Sequence, residues 1–96
     1  MRRALAAAIG LASIAAAVAT AAEPPPGAAA CSGCHPASTR VTTPVPRLAG
    51  RDRAEIVKTM REFRSGVRAG TVMDRIAKGF TDEEIQAIAA WYAVQP

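Results

Sequence analysis

Apolar residues fall at helical spacing twice in the second half of this chain. Ile56, Val57, Met60, Phe63 and Val67 form one stripe; Ile85, Ile88, Ala89 and Tyr92 form another, widened by Trp91 and Val94. Recurrence at i, i+3 and i+4 puts such side chains on one face of a helix. Start signals accompany both stripes. Asp52 with Glu55, and Thr81 with Glu84, have capping-box spacing, in which two side chains satisfy backbone N–H groups left free at a helix start. Asp82, Glu83 and Glu84 also suit the positive end of the helix dipole. Gly66 marks the end of the first helix. Between the two, Thr71–Gly79 reads as a connector with one helical turn at Asp74–Lys78.

Upstream, Glu23-Pro24-Pro25-Pro26 is a stiff, extended lead that cannot continue a helix backward. Gly27–His35 is predicted as a short helix, and Pro36–Gly50, with Pro36, Pro44, Pro46 and several Ser and Thr, as a loop. Neither internal repeats nor the period-two alternation of strands is present, so the pattern predicts an all-α domain.

The N-terminus reads differently. Arg2 and Arg3 precede an apolar run from Ala4 to Ala22 that ends in small residues. This is the pattern of a cleavable export signal over residues 1–21, cut after Ala19-Thr20-Ala21. An uncleaved membrane anchor competes, but the run is mostly alanine, with only Leu5, Ile9, Leu11, Ile14 and Val18 strongly apolar. Residues 22–96 are then one small domain, near the size at which a protein core alone is marginal. Without Arg2 and Arg3, ten basic residues face eight acidic ones, a mature charge near +2 rather than +4. So small a charge, without interleaved aromatics, argues against nucleic acid. Arg51, Arg53, Arg61, Arg64 and Arg68 crowd one region all the same. They read as the solvated face of a helix or as a docking patch for an acidic redox partner.

The chemistry lies in Cys31-Ser32-Gly33-Cys34-His35. This is the C-x-x-C-H pattern by which a c-type haem is attached. Two thiols add across the haem vinyl groups, and the imidazole of His35 is then beside the iron as an axial ligand. In a helical segment Cys31, Cys34 and His35 stand at i, i+3 and i+4, on one face. Other readings each lack a partner. A thioredoxin-type dithiol wants a βαβ setting; a zinc site wants four ligands and only two Cys and one His exist; a structural disulfide leaves the histidine unexplained. Export and haem agree, because c-type attachment is completed outside the cytoplasmic membrane, in the bacterial periplasm. Haem also supplies the missing apolar centre, so the chain without it is expected to be largely unfolded.

Candidates for the second axial position are few. His35 is the only histidine, and Met1 leaves with the leader, so Met60 and Met73 remain. Met60 sits in the apolar stripe, where methionine ordinarily fills core. Met73 lies between helices, in a segment bounded by Gly70 and Gly79 that can wrap over a ring, and is the preferred ligand. A thioether favours ferrous iron more than a second imidazole would, which raises the potential.

The order of Cys31–His35, Val45-Pro46-Arg47-Leu48-Ala49-Gly50 and a later Met before a C-terminal helix resembles class I cytochrome c over essentially the whole mature chain. More narrowly, Phe63-Arg64-Ser65-Gly66 and the run Thr71–Ile85 are similar to the cytochrome subunit of flavocytochrome c sulfide dehydrogenase. The resemblance implies a small helical domain wrapped around one covalent haem, with His35 and Met73 as axial ligands. It implies also that the carbonyl of Pro46 accepts a hydrogen bond from the free ring nitrogen of His35, fixing its tautomer. The chain departs from the family in having Pro36 after the haem histidine, a short 36–50 loop and a single C-x-x-C-H. Ligation on both sides leaves no vacancy for a substrate, which implies outer-sphere electron transfer. A flavoprotein that oxidises sulfide is the implied donor; a free shuttle and a haem-based sensor are the alternatives.

Overall fold

The computed structural model describes residues 23–96 together with Ala15; apart from Ala15, the leader assigned to 1–21 lies outside the described residues. Four helices follow in order: α1 (Ala28–Cys31), α2 (Arg53–Ser65), α3 (Met73–Ile76) and α4 (Asp82–Ala93), with a 3₁₀ turn at Ala77–Gly79 between the last two. No strand occurs among the described residues, so the domain is all-α.

Local chemistry sets the helix limits. At α4 the capping box is complete: Glu84 N–H donates to Thr81 Oγ1 at 3.2 Å, and Thr81 N–H to Glu84 Oε1 at 3.1 Å. At α2 only half of it forms. Asp52 Oδ1 accepts from Glu55 N–H at 3.0 Å, but the Glu55 carboxylate pairs with Arg51 at 3.3 Å instead of turning back. An adjacent guanidinium competes with a neutral N–H and wins. Gly66 closes α2 at φ 83°, a left-handed conformation that suits glycine. That turn carries Val67 off the helix, where it is 82% exposed and not part of the apolar stripe its spacing suggests. Val94, the last residue capping α4, is exposed as well.

The core is small. Ala28, Ile56, Val57, Ile85, Ile88, Ala89 and Tyr92 form it, with Cys31, Leu48, Met60, Phe80 and Trp91 packed half-buried against it. In sequence terms α2 lies on α4, α3 lies on α2, and the four-residue α1 rests on α4. A helix so short has no stability of its own, so its docking must come from fit. Gly27, at φ 88°, supplies this: a Cβ there would sit 2.5 Å from Phe80 Cε1 and 3.4 Å from Ile88 Cδ1.

The arginine run proves to be an internally paired surface. Arg61 and Arg64 both reach Asp82 at the start of α4, and Arg64 also donates to the Phe80 carbonyl at 3.2 Å. Hydrogen bonding from Arg64 holds the Asp82 carboxyl below its ordinary value. Arg68 pairs with Glu62 at 2.8 Å, and Arg53 donates to Gln86 Oε1 at 3.1 Å. Exposed pairs of this kind add little stability each, but they fix how α2 lies along α4.

Gly27→Ala should destabilise the holoprotein by about 2–4 kcal/mol, combining left-handed strain with overpacking against Phe80. Chemical denaturation followed by helical circular dichroism measures it.

Candidate functional site

The attachment segment is less helical than its sequence suggests. After α1 ends at Cys31, the N–H groups of Ser32, Gly33 and Cys34 donate three residues back, each at 3.3 Å, and His35 N–H donates to the Cys31 carbonyl at 2.9 Å. The chain tightens into overlapping turns rather than continuing an α-helix to 35. Two causes are local. Gly33 is a poor helix residue, and Pro36 has no N–H with which to extend the ladder. The two ends of the motif remain joined, because the carbonyl of Cys31 accepts from the amide of His35.

Cys31 and Cys34 are both free thiols, despite being three residues apart. Cys31 is half-buried against the core; Cys34 is exposed. Burial pushes the Cys31 thiol above its ordinary pKa, opposed in part by its own backbone N–H and by the Tyr92 hydroxyl; the thiol itself donates to the Gly27 carbonyl at 3.5 Å. Tyr92 itself donates its hydroxyl to the carbonyl of Ala28, the residue that opens α1 and is fully buried. Burial and the neighbouring Cys31 raise the Tyr92 phenol. Tyr92 therefore ties the thiol-bearing helix to α4. Sequence reasoning placed it only on an apolar face; the signal it missed is that a buried tyrosine hydroxyl needs a partner.

His35 Nδ1 lies 2.5 Å from the carbonyl oxygen of Pro46. A carbonyl can only accept, so Nδ1 carries the proton and Nε2 is left with the lone pair a metal needs. Pro46 is held in turn by a short strap. At one end of it, Gly50 N–H donates to the Tyr92 carbonyl at 3.0 Å and Arg51 N–H to Leu48 at 3.1 Å. Next to Pro46, Arg47 donates to the carbonyls of Ala37 at 2.9 Å and Pro96 at 3.3 Å. Behind His35 a cleft of about 350 Å³ is lined by Pro36, Ala37, Leu48, Trp91 and Pro96 among others. The indole N–H of Trp91 is buried there without a protein partner.

Met73 is not in a loop, as its flanking glycines suggest, but is the first residue of α3, half-buried. Its carbonyl accepts from Ala77 N–H, which starts the 3₁₀ turn. Met60 is half-buried on α2 against the core, the environment of ordinary packing.

These residues fit a covalently held haem. The two thiols are unpaired and one imidazole is fixed in a metal-ready tautomer. Val41, Val72 and Ile76, at 54%, 53% and 45% exposure, leave apolar surface uncovered on the loop and the α3 segment. No three His, Cys, Asp or Glu side chains among the described residues form a group able to hold a metal ion, which is what a zinc reading would require.

Comparison with known proteins agrees. The chain is 40% identical over 73 residues to a thiosulfate dehydrogenase electron acceptor of Stutzerimonas stutzeri, a match covering 74% of this chain and 34% of that protein. It is 37% identical over 62 residues to the cytochrome subunit of sulfide dehydrogenase of Chlorobaculum tepidum, covering 65% and 56%. Cytochrome c-554(548) of Halomonas halodenitrificans is 32% identical over 69 residues, covering 68% of this chain and 83% of that protein. The matches thus span about a third of the first relative and just over half of the second. No family model matches the chain.

Tyr92→Phe should cost about 1–3 kcal/mol, since it leaves the buried Ala28 carbonyl without its donor. Thermal or chemical unfolding of the haem-loaded protein is the measurement.

Proposed function

The chain belongs to the class I cytochromes c, electron-transfer proteins with covalently bound haem, and on that premise we propose its particular arrangement and partner. It carries one haem c, bonded through Cys31 and Cys34 and ligated by His35 and Met73. It works in the periplasm after removal of residues 1–21, taking electrons from a dehydrogenase that acts on reduced sulfur compounds. The narrower version makes it the electron-accepting subunit of a flavoprotein sulfide dehydrogenase.

The observation that carries the ligand assignment is the bond between His35 Nδ1 and the Pro46 carbonyl. It turns a histidine beside two free thiols into an oriented donor with its lone pair on Nε2. When bound, haem supplies a one-electron couple. The chain's own residues do the rest. Cys31 and Cys34 would fix the ring to the polypeptide, and His35 and Met73 would hold its iron, which suits electron transfer rather than substrate chemistry. Exposed Val72 and Ile76 and half-buried Leu48 and Phe80 would offer the ring apolar surface.

Partner choice rests on two observations. Two relatives bear the names of electron acceptors or cytochrome subunits of sulfur-compound dehydrogenases. Among the described residues, Arg40, Arg75 and Lys78 form no ion pair, and two of them flank Ile76 in the segment that begins at Met73. An acidic protein surface suits them. No helix of the described residues is long and apolar enough to cross a membrane.

In the purified ferric protein Met73→Ala should abolish the weak methionine-type absorption at the red end of the spectrum and lower the potential, while Met60→Ala keeps both. Loss in the Met60 variant alone overturns the ligand choice. Mild affinity purification tests the partner: a roughly equimolar flavoprotein marks a subunit, and an isolated monomer marks a free shuttle.

A further inference from the structure

We infer that Arg47 is a positioning residue for His35, setting the electron-donating strength of the imidazole through the strap that carries Pro46. The inference rests on the haem ligation proposed above and adds a residue to it.

Arg47 follows Pro46 directly, so a force on its side chain acts on the peptide whose carbonyl holds His35 Nδ1. The guanidinium makes two bonds in different directions. Nε donates to Ala37, two residues after His35, and Nη2 donates to Pro96, beyond α4. Ala37 and Pro96 both line the cleft behind His35, so Arg47 bridges its walls. The 36–46 loop is therefore closed twice, once by the His35–Pro46 bond and once by the Arg47–Ala37 bond alongside it. The second closure supports the first, because opening either alone leaves the loop ends together.

Nothing else among the described residues brings those two loop ends together by a side-chain hydrogen bond. The other bonds within the loop, Arg40 N–H to Ser38 Oγ and Val45 N–H to Thr43 Oγ1, are local turns. Arg47 makes no ion pair with a carboxylate side chain, although such pairs engage several other arginines. A fork of donors fixed at two backbone oxygens is the geometry for which arginine is suited and a single-point cation is not.

The chemical effect follows from the Nδ1–H bond. Donation to a carbonyl makes the imidazole a stronger electron donor through Nε2, which stabilises ferric over ferrous iron. A looser strap weakens that bond and raises the potential.

The test compares haem-loaded wild type with Arg47→Gln and Arg47→Lys. Gln is too short to reach both carbonyls, and Lys keeps a charge and one contact. In Arg47→Gln the ring N–H of His35 should exchange with solvent about tenfold faster, as expected for loss of one supporting hydrogen bond. Its potential should shift upward, with Lys falling between Gln and wild type. A core variant on α2 outside that cleft, such as Val57→Ala, controls for loosening in general. Unchanged ring exchange and potential in a coloured Arg47→Gln protein overturn the inference, as does an equal shift in the control. A wild-type product without covalent haem overturns the haem reading instead, so the two failures are told apart.

Discussion

The hydrogen bond from His35 to the Pro46 carbonyl is the constraint to which the rest of the fold is fitted. An imidazole on a free turn has two tautomers and a rotating ring, and only one tautomer presents a lone pair at Nε2. The bond removes that freedom. Its acceptor sits on a strap that cannot be a regular element, because Pro44 and Pro46 break any ladder. Position must come from elsewhere, and α4 supplies it. The Tyr92 carbonyl holds Gly50, the Pro96 carbonyl holds Arg47, and the Tyr92 hydroxyl holds α1. The last helix is thus a rack on which both the histidine's segment and its acceptor are hung.

The rack is made of little. Among the described residues only one large side chain, Ile85, is fully buried, and three branched apolar residues stay half exposed on the loop and α3. A core of this size is marginal for a domain of these dimensions. A covalently held porphyrin would complete it by covering apolar side chains such as Val72 and Ile76. Ion pairs between α2 and α4 fix orientation without adding much stability.

Much of this was legible in the sequence. Period and capping residues located α2 and α4, since both signals are local and agree. Cys31, Cys34 and His35 announced the cofactor by spacing, and the family resemblance supplied Pro46. What periodicity misjudged were positions where the backbone changes direction. Val67 continues the stripe in number but follows Gly66, whose left-handed turn ends the helix. Helix over 32–35 was expected from the three-on-one-face spacing, yet Gly33 and Pro36 favour turns. Arg47 and the Tyr92 hydroxyl were invisible because their partners are carbonyls distant in the chain, and a carbonyl leaves no mark in a sequence.

The bond between Tyr92 and Ala28 joins residues 64 positions apart. As the chain is synthesised from its N-terminus, the cysteine-bearing turn emerges long before the helix that steadies it. Four helical residues cannot order themselves meanwhile. The two thiols therefore sit on pliant chain until α4 folds against them, so anything that reacts with them earlier finds them open rather than set in a finished pocket.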